Sequence, residues 1–83
     1  MTGADLSRVR TCMQTVLRLN AADAEAITDQ TTAAQLPQWT SMAHLELVLA
    51  LEREFDVVFE ADEIATLGSV PAIEAALQRT RSE

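Results

Sequence analysis

Apolar residues recur at steps of three and four near the start of the chain. Leu6, Val9, Met13, Val16 and Leu17 share one helical face and predict a first helix from Thr2 to Leu19. Thr2 followed by Asp5 fits a capping box with Asp in place of the usual Glu. The period is lost from Asn20 to Gln38, where Ala, Asp and Thr dominate, and Leu36-Pro37 disfavours helix at its end. This predicts a long connection with one helical turn around Ala22 to Ile27. A loop of that length in so short a chain needs packing of its own, and Ile27 and Leu36 are the residues placed to tack it down. After Trp39-Thr40-Ser41 the chain runs to about Glu54 without Gly, Pro or Asn, a second helix. Phe55 to Glu60 then read as a turn closed by Phe59, and Ala61 to Leu67 as a short helix stopped by Gly68. Ser69 caps the last helix, with Pro71 in its first turn and Val70, Ile73 and Leu77 facing inward. Arg79 to Glu83 read as a frayed tail. The expected fold is all-α: a small four-helix bundle with a long loop between its first two helices, a short third helix, and one domain over residues 1–83.

The second helix carries two apolar stripes. At about 100° per residue, counted from Leu45, the residues Leu47, Val48, Leu51 and Phe55 fall between roughly 200° and 300°. Met42, Leu45 and Leu49 fall between roughly 0° and 60°, flanked by Glu52 on one side and by Glu46 and Arg53 on the other. One helix of a small bundle needs one buried stripe. The second either packs under the long loop or is an exposed docking strip, and its charged borders favour docking.

Composition agrees with packed helices: 48% of the 83 residues are apolar, yet only Trp39, Phe55 and Phe59 are aromatic and only two residues are glycine. Thirteen acids against six basic residues give a net charge of −7, which disfavours nucleic acid and anionic membranes and favours basic protein surfaces. The longest apolar run, Leu47 to Leu51, is far below the ~20 residues of a membrane span. One cysteine, Cys12, cannot form an internal disulfide, and the first residues lack the pattern of a secretory signal, so a cytoplasmic setting is expected.

The stretch from Trp39 to Phe55, WTSMAHLELVLALEREF, resembles the acyl carrier protein family, whose signature is Asp-Ser-Leu or Asp-Ser-Met opening an acidic helix that ends in Leu-Glu-x-x-Phe. The similarity continues through Val57, Phe59, Glu63-Ile64, Leu67 and Ser69-Val70 to Ile73 and Leu77. It implies a carrier with no catalysis of its own, in which the hydroxyl of Ser41 receives 4′-phosphopantetheine from coenzyme A by a separate Mg²⁺-dependent phosphopantetheinyl transferase. Acyl intermediates then travel as thioesters on that arm. The implied partners are the transferase and acyl-loading and acyl-processing enzymes with basic docking surfaces, met through Met42, Leu45, Glu46, Leu49 and Glu52 by a chain that is monomeric when free. Trp39, His44 and the chain boundaries look more like stand-alone carriers of polyketide or other specialised biosynthesis than the housekeeping carrier of fatty acid synthesis. An aminoacyl or peptidyl carrier of the same fold is the nearest alternative, and an unmodified acidic helical adaptor the alternative of a different class.

Thr40 departs from the pattern: it can cap a helix but cannot offer the ion pair of the family's acid. His44, three residues after Ser41, suggests a Ser and His pair, but no orienting acid or oxyanion pocket accompanies it, and a partly exposed histidine near the arm is the expectation. Glu60, Asp62 and Glu63 lack the spacing and glycine of a calcium loop and read as a solvated acidic face. Cys12 reads as small core filling.

Overall fold

A computed structural model describes residues 3–82, and the side chains of residues 5–80. In chain order, α1 spans Gly3–Leu17, α2 Ala21–Glu25, a 3₁₀ turn Ala33–Gln35, α3 Ser41–Phe55, α4 Ala61–Ile64 and α5 Val70–Ser82. The all-α expectation holds, and the helical turn expected inside the long connection is α2. The expected Thr2 cap lies outside the described residues.

The two long helices α1 and α3 end alike. Arg18 (φ 55°) and Asp56 (φ 54°) adopt the left-handed conformation, and the next amides reach back five residues, Leu19 N–H to Gln14 O at 3.1 Å and Val57 N–H to Glu52 O at 3.1 Å. These six-to-one bonds satisfy carbonyls that the helix leaves without donors. The side chain after each turn then points home: Leu19 is buried and Val57 half-buried against the core.

The core is one cluster in which Val9, Met13 and Leu17 of α1 meet Leu47, Val48, Leu51 and Phe55 of α3 and Val70, Ile73, Ala76 and Leu77 of α5. The inner stripe read from the second helix is therefore the buried one. Arg8 ties α1 to the end of α3, its Nε 2.9 Å from Glu54 Oε2 and its guanidinium 4.2 Å above the Phe55 ring. Cys12 fills a buried place on α1, its Sγ 4.0 Å from Ala50 O. Burial, reinforced by the Glu54 carboxylate, pushes its thiol up from the ordinary value.

The long connection is pinned at several points. Ile27 is buried and Leu36 packs against the core, as expected, and Leu19, Ala24 and Trp39 join them. Arg10 Nη2 donates to Ile27 O at 2.7 Å. An isolated bridge pairs Thr32 with Ser69: Ala33 N–H donates to Gly68 O, and Val70 N–H to Thr31 O, both at 2.8 Å. Thr31, buried in the loop, accepts the Thr28 amide on its hydroxyl at 2.8 Å.

Two boundaries differ from the sequence reading. The short helix stops at Ile64 rather than Leu67, because Thr66 folds back to give both its amide and its hydroxyl to Glu63 O, at 2.8 and 2.7 Å. Gly68 is not a left-handed cap; its carbonyl serves the bridge. At the other end α5 runs through the expected frayed tail to Ser82, helped by an Arg79–Glu63 ion pair at 3.2 Å. Ser69 caps α5 as expected, its Oγ accepting Ala72 N–H at 3.2 Å.

Candidate functional site

The start of α3 is fixed by Thr40. Its backbone is extended (φ −81°, ψ 172°) and its hydroxyl accepts Ala43 N–H at 3.2 Å, the geometry of an N-cap. Ser41 is thereby the first helical residue, and its side chain is exposed. The first amides of a helix have no carbonyl of their own, and the dipole adds partial positive charge there, so Ser41 sits where an attached phosphodiester is well received. No acidic side chain lies in this first turn.

Trp39 and His44 anchor the segment from beneath. Their rings stack with centroids 6.0 Å apart and planes 25° from parallel. Trp39 Nε1–H donates to His44 Nδ1 at 2.9 Å, and His44 Nε2 lies 2.8 Å from Ile64 O. An indole nitrogen can only donate and a carbonyl can only accept, so both contacts are satisfied only by neutral imidazole with its proton on Nε2. With both ring nitrogens engaged, His44 has none left to act as a base on Ser41, and the Ser and His pairing suggested by their spacing is not built.

A groove of about 500 Å³ opens beside Ser41. Thr40, Ser41 and Leu45 form one wall and Ala61, Ile64 and Ala65 the other, with Trp39 and His44 between them.

The outer stripe of α3 is bare: Met42 is 73% exposed, Leu45 58% and Leu49 53%. It does not pack under the long loop. Glu46 is exposed beside it, as is Arg53. Glu52 is placed differently: it is half-buried, and its Oε2 accepts Phe59 N–H at 2.8 Å, closing the turn after α3. Of the acidic cluster, Glu60 and Asp62 are exposed, while Glu63 pairs with Arg79 and accepts Glu60 N–H at 3.2 Å. Among the described residues no group of three or more His, Cys, Asp or Glu is arranged to hold a metal ion.

The fold as a whole is similar to a known one. The solution NMR structure of holo acyl carrier protein from Geobacter metallireducens superposes with a TM-score of 0.77, covering 93% of this chain and 85% of that one at 19% identity. The fold is that of an acyl carrier protein. No protein-family model matches the chain, and no curated protein matches it by sequence.

Within this acyl carrier protein fold, Ser41 lies at the helix start and the outer stripe is a separate apolar strip, as the sequence indicated, but the sequence reading missed the network that links Trp39, His44 and the end of α4. Trp39 and His44 stand five residues apart across a helix start, a spacing that carries no helical periodicity. The carbonyl of Ile64 leaves no sequence signal at all. The one available cue was composition: the chain's only tryptophan and only histidine fall within five residues of its candidate serine.

Proposed function

We propose that the chain is an acyl carrier protein, carrying acyl intermediates on a 4′-phosphopantetheine arm at Ser41 and presenting them to partner enzymes. The observation that carries this reading is the exposed hydroxyl of Ser41 at the first residue of α3, beside a groove, in a chain with the acyl carrier protein fold. In the transfer, Ser41 Oγ attacks the β-phosphorus of coenzyme A. Adenosine 3′,5′-bisphosphate leaves, and the serine proton passes to a base on the transferase. When bound, the arm supplies the terminal thiol on which the acyl group rides. The chain's own part is to hold the serine outward on a capped helix and to offer orphan amides to the phosphodiester.

Partners dock, on this reading, along Met42, Leu45 and Leu49, an apolar strip bordered by Glu46 on a surface of net charge −7. That pattern suits a basic enzyme surface with an apolar centre. Glu52 contributes less than the sequence suggested, because one of its oxygens already serves Phe59. Placement of the carrier in polyketide or other specialised biosynthesis is supported by the resemblance carried by Trp39 and His44.

Incubation with coenzyme A, Mg²⁺ and a broad-range phosphopantetheinyl transferase, followed by intact mass, tests the proposal. The expected result is a gain of one phosphopantetheine group in the parent and none in Ser41→Ala, with helix content unchanged in both. An unmodified parent would point to the adaptor instead, and modification persisting in Ser41→Ala would move the site.

A further inference from the structure

The groove beside Ser41 has an unusual floor. Small residues widen it: Ala61 and Ala65 line the α4 side, and at Gly68 an added Cβ would meet nothing within 4 Å. Between the α3 and α4 walls, however, Trp39 and His44 close the groove on its inner side. Their stacked rings and two hydrogen bonds, 2.9 Å to each other and 2.8 Å to Ile64 O, run from the segment before α3 to the last turn of α4. Trp39 itself belongs to the buried core, and Ile64 packs against it. An alkyl chain entering between α3 and α4 must part this crossing. It would leave an indole N–H and a helix-end carbonyl without partners and offer them nothing in return, because methylenes neither donate nor accept.

We propose that the Trp39–His44–Ile64 crossing is a closed gate that keeps an apolar group attached at Ser41 in the surface groove and out of the bundle interior, making His44 a specificity-determining residue for short or polar acyl cargo. The inference rests on Ser41 as the point of attachment. A groove open to water suits such cargo: polar substituents stay hydrated, and a chain longer than the groove gains no further burial from added methylenes.

The test loads the parent from acetyl-, butyryl-, hexanoyl-, octanoyl- and decanoyl-coenzyme A with a broad-range transferase, verifies each product by intact mass, and compares melting temperatures. Each methylene that entered the interior would raise the melting temperature by roughly 3–6 °C. The expected series is level beyond butyryl in the parent and rising in His44→Ala, where the gate is gone. A steady rise in the parent overturns the gate, as does a level series in a folded His44→Ala. Should His44→Ala fail to fold, Trp39→Phe, which keeps an aromatic ring but loses the indole N–H and the second ring, is expected to rise in its place. If no form is loaded, the attachment reading fails, and the gate is judged on the unmodified protein with free octan-1-ol. Stabilisation of His44→Ala but not of the parent supports it, and equal stabilisation of both overturns it.

Discussion

Leu51 and Leu45 are leucines on one helix that differ only in the direction they face: Leu51 is 0% exposed and Leu45 58%. Truncating Leu51 to alanine removes side-chain carbons from the middle of the core and leaves a cavity, at a cost of about 2–5 kcal/mol. A chain of 83 residues has a total stability of roughly 4–12 kcal/mol. The loss is therefore a large share of the whole and lowers the melting temperature by at least ~10 °C. Leu45→Ala gives up only the buried fraction of a side chain whose full burial is worth about 1.5–3 kcal/mol, and creates no cavity, so its cost stays near or below ~1 kcal/mol. Both substitutions exchange one good helix former for another, so propensity cancels in the comparison. Urea and thermal melts of the two variants beside the parent decide the matter. Equal destabilisation would mean that the outer stripe is buried in solution and that the docking surface must lie elsewhere.

Other substitutions probe single links of the same chain of reasoning. Thr40→Asp keeps a capping oxygen and restores a charge, so modification by a transferase that recognises an acid there is expected to quicken, while Thr40→Ala loses the cap at about 1 kcal/mol; an unchanged rate with Thr40→Asp in a transferase assay refutes the charge argument. Glu46→Lys is expected to slow association with a basic partner in stopped-flow mixing, and a deficit that did not shrink with added salt would exclude a steering role. One carboxylate oxygen of Glu74 is shut from solvent without a hydrogen-bond partner, and burial, with Asp29 and Asp5 nearby, raises its titration above the ordinary carboxyl range. Its contribution to stability is therefore complete below that range and lost as pH rises through the raised value, so Glu74→Gln should melt higher than the parent near neutral pH, with the gap closing in mild acid. Cys12, with its thiol held protonated by burial, should react with iodoacetamide slowly in the folded protein near neutral pH and readily in urea.

Much of this molecule was legible from periodicity because helices write their faces into sequence. The spacing of Leu47, Val48, Leu51 and Phe55 gathered them into one stripe of α3, leaving to the packing which of its two stripes faces in, and the apolar steps of α1 gathered Val9, Met13 and Leu17 in the same way. What periodicity cannot state is which backbone group a side chain will meet. Glu52 read as a surface acid because it borders the outer stripe, but Phe59 N–H lies within its reach once the turn forms. Gly68 read as a helix stop because glycine usually is one, whereas here its carbonyl pairs with Ala33 across a gap of 35 residues that no local rule spans. Arg18 and Asp56 end their helices in a conformation for which glycine is the usual signal, so those stops had no residue to announce them.

The long connection, the least regular part of the sequence, is what builds the groove. It brings Ala33 to the link before α5 through the bridge and sets Trp39 beneath the start of α3, so three distant segments meet at Ser41. Leu45 then has two surroundings at once, as a wall of that groove and as the centre of the exposed strip. A partner seated on Leu45 also covers the mouth of the groove, so weaker binding of Leu45→Ala mixes loss of docking with altered seating of cargo. Leu49 separates the two: it is similarly exposed but lines the neighbouring cleft between α1 and α3, with Cys12 and Ala50, and does not touch the groove at Ser41. If docking alone is at work, Leu49→Ala should weaken a partner about as much as Leu45→Ala whether or not the arm is loaded. If cargo contributes, only Leu45→Ala should respond to loading, and affinities measured by titration calorimetry on the unloaded and acyl-loaded forms of both variants distinguish the two.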